Sequence, residues 1–219
     1  MDNNTYSIDE QFLIGPAFLV SPILRENETS VDAYFAADLW YDYHNGTIAY
    51  NNYEKGEWIT LYANYSEIPL HIRSGYIIPT QNPANTTKYA RKNPFGLIVA
   101  LNNDNEAIGD LFYDDGESQN VAVKNYFLST FIARDNKLEM HIEYDKYKGS
   151  DQMILDTIRL LHNKKYDSSW VFILNKKTVI DSDNITFSET EIVLSNLGIQ
   201  MSDDFRIDWV TLLSFDINF

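Results

Sequence analysis

The residues whose types and spacing could most directly do chemistry are three carboxylates in the segment Asp114-Asp115-Gly116-Glu117. Such a group could bind a divalent cation, or it could supply an acid and a base for hydrolysis. A calcium loop of the EF-hand type needs alternating oxygen ligands and a glutamate at its twelfth position, and this segment lacks that arrangement. An Asp-Gly pair after an apolar run is more typical of a turn, in which aspartates accept bonds from backbone N–H groups. We predict a turn without a metal or cofactor, and keep an acid-catalysed hydrolase built on this cluster as a further hypothesis.

The four histidines, His44, His71, His141 and His162, do not form a metal-binding pattern, because none has a histidine partner at the short spacing of zinc sites. We interpret each as exposed or hydrogen-bonded, with His71 at a polar position of a half-buried strand. The sequence also lacks a glycine-rich phosphate loop and a G-x-S-x-G nucleophile motif. These residues therefore predict no cofactor and no catalytic histidine.

Three neighbouring aromatic residues, Trp40, Tyr41 and Tyr43, could form a platform on which sugar rings pack. Side chains alternate between the two faces of a strand, so one face carries only part of this set. One face of this strand is then expected to belong to the core.

Composition and charge exclude several classes of partner. A net charge of −15 argues against nucleic acid and against an anionic membrane surface, because both require clustered Lys and Arg. No run of about 18 apolar residues occurs, so the sequence predicts no membrane span. With no cysteine, disulfides and thiolate metal sites are excluded. Hydrophobic residues at 44% and aromatic residues at 14% favour a folded, β-rich chain.

Six Asn-x-Ser/Thr sequences could carry N-linked glycans, which would indicate a secreted or lumenal protein. An asparagine-rich composition is the alternative explanation for them. They begin at Asn3, Asn27, Asn45, Asn64, Asn85 and Asn184.

The elements that must position these residues are β-strands. Ile68–Ile72 and Tyr76–Pro79 flank an Arg73-Ser74-Gly75 turn, which predicts an antiparallel hairpin. Asn45-Gly46 predicts a second hairpin. The segment Gln11–Leu24 is almost continuously apolar, which is typical of a strand buried on both faces, and we expect the chain to begin inside a longer protein.

Further segments are predicted to be strands from their apolar and β-branched residues, whereas Ile154–His162 fits a strand or a short helix and Asn82–Asn93 is predicted to be a linker. The strands are 31–35, 39–43, 58–62, 95–101, 109–113, 125–133, 138–144, 169–174, 192–197 and 205–213.

The wording of several segments resembles glycoside hydrolase family 31, the α-glucosidases that include maltase-glucoamylase and sucrase-isomaltase. IPLHIRSGYIIPTQ at 68–81 resembles the family's IPLHIRGGYIIPTQ, and IDEQFLIGPAFLVSPIL at 8–24 resembles IDxQFLLGPAFLVSPVL. The patterns WYDY at 40–43, GEW at 56–58 and GDLFYDDGES at 109–118 extend the resemblance. Two departures, Ala36 for a proline and Ser74 for a glycine, concern local turn geometry.

The resemblance implies an all-β chain of two β-sandwich domains, preceded by the last strand of a (β/α)8 barrel. We expect residues 1–24 to end the catalytic barrel, 25–82 to form a proximal C-terminal sandwich, and 83–219 to form a distal one. The family's nucleophile motif W-x-D-M-N-E and acid/base motif G-D-N are both missing from the sequence. No catalytic residue is therefore carried over.

The expected function is that of the non-catalytic C-terminal portion of a retaining α-glucosidase-like hydrolase. The intact enzyme would bind its oligosaccharide substrate through the missing barrel, and this chain alone is predicted to be inactive. The alternative is a free-standing, non-enzymatic carbohydrate-binding or interaction module.

Overall fold

The structure is a computed structural model that describes residues 2–117, 125–164 and 166–211. Its contacts divide the chain into two units, one ending at Tyr76 and the other beginning at Ile77. The sequence predicts a domain boundary near Gln81, and the three-part assignment with a barrel remnant stays a prediction. In the described part of the chain, no helix reaches the length and hydrophobicity of a membrane-spanning segment.

The first unit contains two antiparallel sheets that enclose an aromatic core. One sheet has the strand order β1-β2-β7-β4-β5, and β3 pairs with β6 in the other. A 3-10 turn at Asn3–Ser7 precedes the strands. The strands are β1 (Phe12–Ile14), β2 (Phe18–Val20), β3 (Ser30–Phe35), β4 (Asp38–Asp42), β5 (Ile48–Asn52), β6 (Glu57–Tyr62) and β7 (Leu70–Arg73). The core cluster is Leu19, Ala33, Phe35, Trp40 and Tyr50.

The second unit is one long sheet, in the order β15-β14-β19-β12-β11-β10-β8-β9-β13-β17-β16, with β18 beside β13. The bounds are β8 (Tyr76–Gln81), α1 (Thr87–Ala90), β9 (Phe95–Ala100), β10 (Ala107–Tyr113), β11 (Phe127–Arg134), β12 (Lys137–Asp145), β13 (Ile154–Leu161), β14 (Trp170–Leu174), β15 (Thr178–Val179), β16 (Ile185–Phe187), β17 (Glu191–Leu194), β18 (Ile199–Gln200) and β19 (Phe205–Thr211), with 3-10 turns at Ser150–Gln152 and Ser182–Asn184.

This long sheet curls back on itself to enclose its core. Phe172 of β14 and Phe187 of β16 lie near opposite ends of the strand order, yet their ring centroids are 6.5 Å apart. Leu97, Phe131 and Trp209, from different parts of the sheet, belong to the same buried cluster. The arrangement is sandwich-like, so the prediction of an all-β chain is confirmed.

The predicted strands are present, and Ile154–Leu161, whose type the sequence left open, is a strand. The end of the predicted strand 205–213 lies outside the described residues. The predicted linker Asn82–Asn93 contains the short helix α1, which Thr86 caps by accepting a hydrogen bond from the Tyr89 N–H at 3.4 Å.

The predicted hairpin at residues 68–79 is wrong in its pairing. The turn exists, and Gly75 has the positive φ of 84° that it requires. However, β7 pairs with β2 and β4, whereas β8 lies between β9 and β10 in the other sheet. Chain neighbours separated by a tight turn usually pair, so this pattern could not reveal that the turn passes the chain from one sheet to the next.

The prediction that His71 occupies the polar side of a half-buried strand is also wrong. His71 is 2% exposed and the next residue, Ile72, is 0% exposed, so β7 is buried on both faces. The His71 ring lies edge to face against Phe35, with centroids 4.8 Å apart. His162 is equally buried in the second unit, 4.6 Å from the Tyr166 ring.

Ser74, the residue that departs from the family's glycine, is part of a buried polar contact. It is 4% exposed, and its hydroxyl donates to Asp38 Oδ1 at 3.0 Å. Arg73 Nε donates to the other oxygen of Asp38 at 2.7 Å. Together these bonds fix the end of β7 against the start of β4.

The first prediction concerns this contact. Ser74→Ala removes one donor to Asp38 and is expected to lower the free energy of unfolding of the first unit by about 1 kcal/mol, as for a typical lost hydrogen bond. Urea unfolding followed by tryptophan fluorescence measures the change. Ser66→Ala, at an exposed loop position, is the matched control and should change the free energy little. Equal effects of the two variants would contradict the assigned role of the Ser74 hydroxyl.

The second prediction concerns acid stability. Burial lowers the pKa of His71 and of His162 from 6.5 to about 4. Because the unfolded chain binds these protons first, stability is fully present above pH 6.5 and is lost as the pH falls toward 4. For each ring, the difference in pKa between the unfolded and the folded chain corresponds to at most about 3 kcal/mol of the free energy of unfolding.

Urea midpoints measured between pH 7.5 and pH 4 should therefore fall steeply in the parent chain and less steeply in His71→Gln and His162→Gln. His141→Gln, at a side chain that is 48% exposed, is the control and should keep the parent profile. If both buried-site variants keep the parent slope, other groups are responsible for the acid lability.

Candidate functional site

The most unusual surface of the first unit is strand β1. Phe12, Leu13 and Ile14 are 53%, 52% and 60% exposed, although all three are strongly apolar. β1 pairs with β2 in an antiparallel register, and the sheet order places β1 at the edge. The prediction of burial on both faces is therefore wrong for these three residues in this structure. It is right for Leu19 and Val20 of β2, which are 4% and 7% exposed.

The run Gln11–Leu24 is divided at Gly15, whose φ of 62° lets the chain reverse between β1 and β2. β2 then pairs with the buried strand β7, with Phe18 opposite Ile72. β2 is therefore an inner strand of the five-stranded sheet, and β1 is its exposed edge strand.

An apolar pocket of about 250 Å³ adjoins β1 on the same unit. Residues of β1 line it together with members of the core cluster, Leu19 and Trp40. The lining residues are Thr5, Ile8, Gln11, Phe12, Leu13, Leu19, Tyr34, Ala36 and Trp40. A pocket this apolar beside an exposed apolar strand suits a protein surface better than a polar substrate.

Gln11 holds the start of this surface in place. Its side-chain amide donates to the Tyr34 carbonyl at 2.9 Å, and its Oε1 accepts from the Tyr34 N–H at 2.8 Å. The Tyr34 hydroxyl donates to Asp2 Oδ2, and this bond raises the pKa of Tyr34 and lowers that of Asp2. The sequence analysis did not single out Gln11, and the only signal was one polar residue at the start of an apolar run.

The carboxylates at 114–117 cap a turn. Asp114 Oδ1 accepts from the Gly116 N–H at 2.8 Å, and Asp115 Oδ1 accepts from the Glu117 N–H at 3.0 Å. Gly116 has a φ of 70°, and the Arg91 guanidinium donates to the Asp114 carbonyl. The turn prediction is confirmed. Within the described ranges, no group of three or more acidic, histidine or cysteine residues is arranged to hold a metal ion.

The aromatic platform considered at residues 40–43 does not exist as a surface. Trp40 and Tyr41 are 2% and 0% exposed, on opposite faces of a strand that is buried on both sides. Tyr43 packs edge to face on Phe18, with centroids 5.3 Å apart. Trp40 and Tyr41 are therefore buried in the first unit, and Tyr43 is half-buried.

The two exposed histidines each have a local contact. His44 contacts the Ile68 carbonyl at 3.1 Å, and His141 lies 3.4 Å from Asp204. The first five sequence-predicted glycosylation sites are exposed, whereas Asn184 is half-buried and accepts a hydrogen bond from Asn196. Neither histidine contact involves the carboxylates at 114–117.

Comparison with known proteins identifies the family. The family model described as "Glycosyl hydrolase family 31 C-terminal domain" matches residues 1–78, which include the whole first unit. Intestinal sucrase-isomaltase from Oryctolagus cuniculus is 36% identical over 95% of the chain. Lysosomal alpha-glucosidase from Rattus norvegicus is 33% identical over 95% of the chain. These alignments continue well beyond Ser118, where the recognised motifs end.

The structural comparison agrees. A crystal structure of the glucosidase II alpha subunit with Tris bound superposes with a TM-score of 0.79 at 25% identity, over 93% of this chain and 24% of that one. The chain spans 11% of the rabbit protein and 23% of the rat protein. The matches do not favour a free-standing carbohydrate-binding module. The chain belongs to glycoside hydrolase family 31 and corresponds to the C-terminal portion of its α-glucosidase-like members.

Proposed function

We propose that this chain is the non-catalytic C-terminal portion of a retaining α-glucosidase, and that its β1 surface docks onto the catalytic barrel. The observation that carries the proposal is the exposed apolar edge strand Phe12–Ile14 beside an apolar pocket. The relatives named above are four to nine times longer than the aligned region, which leaves room for a catalytic part.

Leaving strand β1 uncovered has a cost in free energy and in solubility. An edge strand with exposed apolar side chains on both faces offers unpaired backbone groups and apolar area to any other strand, so proteins usually cover it. Burying one such side chain fully contributes about 1.5–3 kcal/mol. Three consecutive side chains and a neighbouring pocket would thus provide a strong contact with the missing part.

The proposed reaction of the intact enzyme is the release of terminal α-linked glucose from malto-oligosaccharides through a glucosyl-enzyme intermediate. Retention requires two carboxyl groups about 5–5.5 Å apart, one as the nucleophile and one as the acid and base. The carboxylates of Asp114 and Asp115 accept hydrogen bonds from backbone N–H groups of a turn, and Glu117 is one of the residues whose N–H donates. We therefore place both catalytic carboxylates, and the bound oligosaccharide, in the missing part.

A secreted or lumenal location accompanies this proposal, with any membrane anchor in the missing part. Two observations support it. Five of the six Asn-x-Ser/Thr sites expose their asparagine. Two relatives carry "intestinal" and "lysosomal" in their names, and glucosidase II is described in one structure as an ER enzyme.

The third prediction concerns catalysis. The purified 219-residue chain is expected to release no glucose from maltose and no nitrophenol from a nitrophenyl α-glucoside, because it lacks the carboxylate pair. The assay is run beside an intact family member at equal molar concentration. Turnover that survives further purification and is lost in the triple variant D114N/D115N/E117Q, with the fold retained, would overturn the assignment and favour the acidic-cluster hydrolase.

The fourth prediction concerns the docking surface. Leu13→Lys is expected to reduce self-association of the isolated chain, because a charge interrupts the exposed apolar edge. Sedimentation velocity over a range of concentrations measures the association. The free energy of unfolding should change by less than about 0.5 kcal/mol, since the side chain is exposed.

Ile108→Lys provides the matched control, because Ile108 is 61% exposed on the second unit. It should leave self-association unchanged. If both variants reduce association equally, the effect comes from general surface hydrophobicity and the β1 edge has no special role.

A further inference from the structure

A second surface of the first unit lies on strand β6, where exposed and buried residues alternate. Trp58 and Tyr62 are 47% and 79% exposed, and Thr60 between them is also exposed. Ile59 and Leu61 point the other way and pack against the core. The exposed side of this strand is therefore aromatic at both ends and polar in the middle.

Strand β3 supplies the neighbours of this row. Tyr34 is directly opposite Trp58, and their ring centroids are 5.3 Å apart. Asp32 is opposite Thr60 and accepts a hydrogen bond from its hydroxyl at 2.6 Å. The Trp58 ring is thus supported from one side and remains about half exposed.

Beside Trp58 is a groove of about 610 Å³, a volume in the usual range of ligand sites. Its walls are the segment Ser7–Gln11 and the chain from Ile23 to Asp32. Arg25 bridges the walls, because its guanidinium lies 3.2 Å from Glu10 and 3.9 Å from Glu28.

The charges of the groove select the class of ligand. Among the lining residues that the structure describes, four are carboxylates, at Asp9, Glu10, Glu28 and Asp32, and Arg25 is the only basic one. Phosphates and other anions are therefore disfavoured. Three of these carboxylates already face a donor of the protein, and each carboxylate group has further lone pairs that can accept hydrogen bonds. Hydroxyl groups can donate to such acceptors, while the apolar face of a sugar ring packs on an indole.

From this juxtaposition we propose that the groove beside Trp58 binds pyranose sugar rings, with Trp58 as the stacking surface and the wall carboxylates as hydroxyl acceptors. The proposal does not depend on the docking of β1. One source of the sugar is a free oligosaccharide. The other is the chain itself, because Asn27, which lines the groove, begins the sequence Asn27-Glu28-Thr29 and is exposed with a φ of 66°.

The first arm of the test uses the unglycosylated chain from a bacterial host. Trp40 and Trp209 are 2% exposed, so acrylamide quenching of tryptophan fluorescence reports mainly on the more exposed tryptophans, Trp58 among them. Maltotriose and chitobiose are titrated separately. Binding should protect Trp58 from quenching. In titration calorimetry, which does not need the Trp58 signal, Trp58→Ala should weaken the affinity at least about tenfold. Tyr65→Ala, at an 83% exposed ring that does not line the groove, should leave the affinity unchanged.

The second arm uses the chain secreted from a glycosylating eukaryotic host, with occupancy of Asn27 determined by glycopeptide mass spectrometry. Enzymatic removal of the glycan, or Asn27→Gln, should at least double the acrylamide quenching of Trp58. Asn85→Gln, which removes a site in the second unit, should not alter it.

Protection in the first arm alone identifies a free oligosaccharide as the ligand, and protection in the second alone identifies the Asn27 glycan. The proposal is overturned if neither sugar nor glycan protects Trp58, or if Trp58→Ala binds as tightly as the parent. Because the quenching measurements use the parent chain, they decide the question even if Trp58→Ala does not fold.

Discussion

The first unit depends on the burial of strand β7 between two partners. β2 pairs with one edge of β7 and β4 with the other, and side chains on both faces of β7 are excluded from water. The ends of these strands are joined by backbone bonds from Arg73 to the Ala17 carbonyl at 2.8 Å and from Ser74 to the Leu39 carbonyl at 2.9 Å. β7 is therefore the strand that connects the β1–β2 pair to β4 and β5 in the same sheet.

Sequence patterns predicted the strands well because alternation and turn residues are local properties. Asn45-Gly46 correctly predicted the β4–β5 hairpin, and Asp114 and Asp115 correctly predicted a capped turn. Pairing was harder, because the same tight turn at Gly75 can close a hairpin or pass the chain to another sheet. Nothing within a few residues of Gly75 distinguishes these outcomes.

Burial was the other limit of sequence reasoning. His71 looks polar and Leu13 looks apolar, but the structure buries the first and exposes the second. His71 is buried because β7 lies between β2 and β4, which are both distant in sequence, whereas Leu13 is exposed because β1 has a partner strand on one side only. The same applies to Trp58, whose alternation with Ile59 was visible in the sequence but whose groove is formed by residues 7–11 and 23–32. The motifs predicted the family, while the two surfaces emerged only from three-dimensional contacts.

The position of β7 in the sheet also has a consequence for how the chain acquires its structure. Phe18 pairs with Ile72, so strand β2 can meet its partner β7 only after about 50 further residues have been synthesised. During synthesis, the apolar segment Phe12–Val20 therefore cannot pair with β7 until β7 has left the ribosome. Contacts of such long sequence separation are slow to form, and the five-stranded sheet is expected to assemble late and in one cooperative step.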